Sequence, residues 1–347
     1  MPSLLTSAHV NLFKRPDGRA FLPGEIINEI PASLPAFQGF DERGVSCPTA
    51  TKDIEGDKYM ALVKIKQNDA LIFRKFNEGV ETVEDAYEHR EWGIKVAGSY
   101  VNMDLALYEQ PGEAGVKAWE VAKQNVIQRM MRTFERQFFY GKPDLAKDSN
   151  IAKGFQGLKY CVHESMMMDA GGQGTELTSA YLVYFHRDFG VSWIQGNNGK
   201  MTFQDEKIDN VVDPKNPDRR FPVLSTFLQL YPGLACQGAF TVFRIANIDV
   251  STAYKIKNKN RDAFTDEMIG TAIAMWPMNR PNVVFTTRKG AIMLGASRHA
   301  SMIDKATSNE ILISAGQTQS AKDCDGGTIP VCVTDGLVDN ESKVTVK

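Results

Sequence analysis

Between Gly112 and Tyr140 apolar residues recur every three or four positions: Val116, Trp119, Ala122, Val126, Ile127, Met130, Phe134 and Phe138. Lys117, Glu120, Gln124, Gln128, Arg132, Glu135 and Arg136 fall on the other faces. This is the period of one amphipathic helix. Pro111 precedes it, and Gly141 with Pro143 supplies a stop. At 1.5 Å per residue it spans about 43 Å. A helix of that length is long for a compact enzyme and natural for a scaffold. Trp119, Met130, Phe134 and Phe138 are expected to be its core contacts.

The flanking segments are extended or broken. Pro16, Pro23, Pro31, Pro35 and Pro48 interrupt the first fifty residues too often for long helices or central strands. Their apolar content points to an arm that orders only against neighbours. Tyr59 to Gln67 alternates like a half-solvated strand, and Ala70 to Phe76 is expected to return after an Asn68-Asp69 turn. The resulting hairpin carries Lys64, Lys66, Arg74 and Lys75. Residues 91–109 read as extended. Beyond the long helix come short strands (Tyr181 to Phe185, Gly238 to Ile245, Val283 to Phe285) and a second helix over Asp262 to Met275. The polar stretch 205–222 reads as a surface loop. The fold class is α+β.

Bulk properties narrow the function. The 347 residues carry 40 basic and 42 acidic side chains, so there is no basic excess for wholesale nucleic-acid binding. No run approaches the roughly 20 apolar residues that span a bilayer, and the first residues lack signal-peptide character. Cys47, Cys161, Cys236, Cys324 and Cys332 are odd in number and far apart, without a C-x-x-C, which argues against a disulfide framework or zinc site and for a reducing compartment.

A search for catalysis finds no candidate residue. Gly196 to Lys200 lacks the glycine spacing and the Ser/Thr of a phosphate loop. No G-x-S-x-G is present, and His9, His89, His163, His186 and His299 stand singly. Cys161-Val162-His163 is the nearest approach to a thiol or metal site and reads as incidental. Glu81, Glu84, Asp85, Glu88 and Glu91 read as a solvated acidic face. No cofactor or metal is expected.

Four strings, in this order, resemble the major capsid proteins of tailed bacteriophages, in particular a podovirus-type branch. They are Phe76-Asn77-Glu78-Gly79-Val80; Phe134 to Lys142 followed by Phe155-Gln156-Gly157-Leu158; Phe243 to Asp249; and Arg280-Pro281 to Arg288. The similarity runs from about Phe76 to Val338. Lys142 and Thr287 depart from the acidic residue and the asparagine usual there. No crosslinking motif can be matched.

The resemblance implies a Hong Kong 97-like fold. Residues 1–50 would be an N-terminal arm and 51–90 an extended loop with Lys64, Lys66, Arg74 and Lys75 at an assembly interface. Residues 91–170 would be a peripheral domain with the long spine helix, and 171–347 an axial domain plus strands returning to the peripheral one. It implies hexamers and pentamers closing an icosahedral shell around double-stranded DNA, held by weak non-specific contact. Scaffold, portal and decoration proteins would be partners, with assembly in the host cytoplasm and no membrane. An encapsulin-like nanocompartment shell and a soluble enzyme with a dispersed site are the alternatives.

Overall fold

The computed structural model describes residues 4–5, 33–66, 86–143, 153–196, 202–213, 216–251, 253, 264–277, 280–303, 320–322 and 328–346. The spine helix runs Ala114–Tyr140 over 27 residues. Its N-terminal half lies on a five-stranded sheet of β1 (Leu4–Leu5), β5 (Ala97–Asp104), β9 (Thr202–Phe203), β10 (Lys207–Asp213) and β11 (Asn216–Leu230). β5 and β11 pair antiparallel from Ala97↔Leu230 to Asp104↔Val223. The alternation of β11 thereby turns Leu224, Leu228 and Leu230 toward the helix beside Val101 and Met103 of β5.

The helix's C-terminal half enters a larger body. There β6 (Met167–Asp169), β7 (Leu177–Val183), β13 (Val242–Asp249), β14 (Val283–Thr286), β15 (Ser320–Lys322) and β16 (Thr328–Val333) form a six-stranded sheet in the order β15-β16-β14-β7-β13-β6. Every residue of β7, β13 and β14 is buried. Burial along every position is what a sheet covered on both faces requires, and it takes in polar members such as Thr178, Ser179, Arg244, Asn247 and Asp249. One face meets Phe138 and Phe139 of the spine. The other packs on helices Asp266–Ala274 and Arg288–Ile303 through Ile269, Ala272, Ile273, Met293 and Leu294. A three-stranded sheet of β2 (Thr51–Ile54), β8 (Val191–Gly196) and β12 (Pro232–Cys236) adds Trp193 and Leu234 to the first core.

Several expectations need correction. The polar stretch 205–222 is not a loop but the two strands β10 and β11, joined across Asp213↔Asn216. Its side chains are polar because both faces of that hairpin are largely solvated, not because the backbone is unpaired. β3 (Lys58–Lys66) pairs with β4 (Ala86–Gly93), so Glu88 and Glu91 sit on a strand. The strand expected to return at 70–76 lies outside the described residues. Val116, expected on the apolar face, is turned to solvent at 36% exposure. Glu135, assigned to a polar face, is fully buried at 0%. Helix Arg288–Ile303 was not anticipated.

Candidate assembly site

β3 and β4 form a two-stranded ribbon that joins no other sheet among the described residues. Direct cross-strand partners share a face, so Met60 with Glu91 and Leu62 with His89 lie on the same side. Met60, Leu62 and Tyr87 are 68%, 58% and 55% exposed. The other face carries the stacked Tyr59–Trp92 pair at 5.7 Å. The root is bolted to the body: Lys52 Nζ donates to the Tyr59 hydroxyl (2.8 Å) and to Asp188 (2.9 Å), and the Ile94 N–H donates to the Asp57 carbonyl (2.9 Å). Lys64 and Lys66 occupy the far end of β3, in register with Tyr87 and Ala86. Arg74 and Lys75 lie outside the described residues.

The spine residues Trp119, Met130, Phe134 and Phe138 are buried, at 2%, 8%, 5% and 0%. The Trp119 indole N–H donates to Glu206 at 2.7 Å, and Lys123 Nζ reaches the same oxygen at 3.0 Å. These contacts, the indole first, hold the Glu206 carboxyl below its usual range against partial burial. Phe138 stacks on Trp193 (5.2 Å) and meets Phe139 edge-on (4.9 Å). At the helix end, a Cβ on Gly157 would lie 2.5 Å from the Gly141 nitrogen and 2.6 Å from the Gln137 carbonyl. Only glycine lets the chain return so closely. The Gly157 N–H then donates to the Gly141 carbonyl (2.8 Å), and the Gln137 amide to the Phe155 carbonyl (2.7 Å). Gly141 accordingly ends the helix by close approach rather than by a left-handed cap, its φ being -53°.

Residues that sequence reasoning missed form two clasps. In the first, Glu135 accepts from the Ala36 N–H (3.2 Å) and the Thr334 hydroxyl (2.8 Å), tying the segment before β2 and the end of β16 to the spine. Ser33 donates to the Val333 carbonyl (2.7 Å), and the Val333 N–H donates to Asp41 (3.2 Å). Arg288 pairs with Glu42 (2.7 Å) and Asp335 (3.0 Å). In the second, Arg244 pairs with Glu341 at 2.8 Å, their side chains only 2% and 4% exposed. Glu341 also accepts from Ser179 (2.5 Å) and from the Tyr140 hydroxyl. Burial, then the Glu341 charge, pushes the Tyr140 phenol above its usual range. Asn247, at φ 59°, sits at the bulge of β13 and clamps Val344 through both amide atoms (2.7 and 2.8 Å). Glu135 was legible as a charge on a face shared with Met131, Phe138 and Phe139. The Arg244–Glu341 pairing had no local signal.

Among the described residues no group of three or more His, Cys, Asp or Glu side chains is placed to hold a metal ion. The layout of spine, flanking sheet, two-face-covered sheet and projecting ribbon is that of a Hong Kong 97-like capsid protein, a shell-forming structural class. The chain belongs to the family described as "Major capsid protein GP7", whose model matches residues 59–345. The structure is similar to a chain of bacteriophage Epsilon15, with TM-score 0.64, 14% identity, and coverage of 99% of this chain and 98% of that one. Lower similarity extends to the bacteriophage JBD30 capsid (TM-score 0.45, 10% identity, 96% and 99% covered). It extends also to the SrpI encapsulin of Synechococcus elongatus PCC 7942 (TM-score 0.40, 11% identity, 67% and 96% covered). No curated protein matches the sequence. The protein is therefore a tailed-phage major capsid protein: it self-associates into the virion shell, and its family is not enzymatic.

Proposed function

We propose that the subunit assembles as hexamers and pentamers that close an icosahedral shell around double-stranded DNA. Scaffold and portal proteins act during assembly in the host cytoplasm. Residues 1–50 serve as the arm, 51–90 as the extended loop, 91–170 as the peripheral domain, and 171–347 as the axial domain with β10 and β11 returning beneath the spine. The observation that carries this reading is the ribbon. Its outward face presents Met60, Leu62 and Tyr87, and a lone two-stranded ribbon is at best marginally stable in water. A neighbouring copy that covers this face removes that apolar surface from water, and every subunit of a closed shell can repeat the contact.

The charges Lys64, Lys66, Arg74 and Lys75 then meet acidic groups of the neighbour. Single surface pairs contribute about 0–1 kcal/mol, but repeated contacts act together. Reversing Arg74 and Lys75 to glutamate is expected to leave the circular dichroism of the subunit unchanged while shells fail to close under the electron microscope. Normal particles from the double reversal would remove these residues from the interface.

A further inference from the structure

Strand β10 ends the five-stranded sheet: β11 covers one of its edges, and among the described residues no strand pairs with the other. Its seven residues, Lys207–Asp213, are exposed or half-buried throughout. The outward N–H and carbonyl groups of such an edge can pair with another strand. Ile208 and Val212 lie on one face of β10 and are 61% and 41% exposed. The order of side chains, Lys-Ile-Asp-Asn-Val-Val-Asp, has a property that a merely solvated edge does not require. Reversed about Asn210, it sets Lys207 against Asp213 and Ile208 against Val212.

We propose that β10 is a two-fold contact between copies of this chain: the edges of two subunits pair antiparallel, centred on Asn210, and join their sheets into one. The inference rests on the shell reading above and adds to it a contact between capsomers, because neighbouring rings of a closed shell are related by two-fold axes. Sheet faces must match across an axis normal to the sheet, so its centre falls on a residue and not between two. Centring on Asp209 would face that carboxylate with its own copy, and centring on Val211 would face Asp209 with Asp213. Like charges directly opposite each other destabilise a sheet, whereas opposite charges and apolar pairs support it. Centring on Asn210 pairs Lys207 with Asp213 twice and Ile208 with Val212 twice, and leaves Asp209 opposite Val211. The charges therefore permit one register and oppose its neighbours, and the exposed apolar side chains of both copies are covered together.

The test oxidises assembled shells of Asn210→Cys and of Asp209→Cys with copper phenanthroline, with wild type as the control for the native cysteines, and runs them without reduction. Directly opposed residues of an antiparallel pair have Cβ atoms about 4.5–5.5 Å apart, close to the reach of a disulfide. Asp209 and its copy are instead displaced along the strands by two residues. Asn210→Cys should run mostly as a covalent dimer joined at position 210, and Asp209→Cys as a monomer. Asn210→Cys particles that stay unlinked, or equal linking in both variants, would overturn the contact and leave the shell reading standing. Wild type that forms no particles would overturn the shell reading and the contact with it. Lys207→Asp should lower the yield of closed shells several-fold, and Lys207→Asp/Asp213→Lys should restore it, which tests the register without cysteines. A double variant no better than the single one would count against the pairing.

Discussion

Replacing Glu341 by alanine leaves the Arg244 guanidinium buried beside Tyr181 without its carboxylate, its side chain only 2% exposed. Removing one partner of a buried pair costs about 3–5 kcal/mol, most of it the desolvation of the charge left behind. Ser179 and Tyr140 lose an acceptor in the same step. The loss is capped by the free energy of docking the tail, because release of residues 337–346 would let water reach Arg244. Glu341→Ala should therefore lower stability by about 3–5 kcal/mol in urea denaturation followed by tryptophan fluorescence. Amide exchange should rise first across residues 337–346. The double variant Arg244→Met/Glu341→Leu removes both charges and should lie only about 1–2 kcal/mol below wild type, reflecting the Ser179 and Tyr140 hydroxyls. A single variant within about 1 kcal/mol of wild type, or a double variant worse than the single, would refute the desolvation account.

Phe134→Ala should cost about 3–5 kcal/mol, while Arg132→Ala on the half-buried flank of the helix should cost far less; equal denaturation midpoints would place the helical phase wrongly. Gly157→Ala should abolish soluble folded subunit, since its methyl would overlap the backbone of Gln137 and Gly141; wild-type yield and circular dichroism would contradict that packing. Glu206 is depressed in the fold, so its contribution is present above the ordinary carboxylate range and is lost as pH falls through its lowered folded value. Wild type should accordingly exceed Glu206→Gln in stability at neutral pH and converge with it in acid, and a pH-independent difference would contradict the linkage.

The parts of the fold legible in the sequence are those written in local periodicity. Trp119, Met130, Phe134 and Phe138 repeat at helical spacing, and the buried runs of β7, β13 and β14 announce a covered sheet. What escaped depends on distance along the chain. Glu135 draws Ala36 and Thr334 together from positions 99 and 199 residues away, and Arg244 finds Glu341 97 residues on. The hairpin β10–β11 was missed for another reason: both of its faces are largely solvated, so its polarity imitates a loop. Three of the four family strings prove to be places where backbone geometry is fixed, while Phe76 to Val80 lies outside the described residues. Gly157 closes the spine's end and Asn247 clamps the tail. The Asn282 amide bridges both backbone groups of Phe185 at 2.9 and 2.8 Å.

Shell formation by this chain is tested most directly by purifying the protein, following its mass by light scattering across a wide concentration range, and imaging the same sample by negative-stain electron microscopy. The account predicts ring-shaped capsomers and closed shells of uniform diameter, with no stable monomer as the main species. A sharp monomer peak that persists at every concentration, with no particles on the grid, would contradict it.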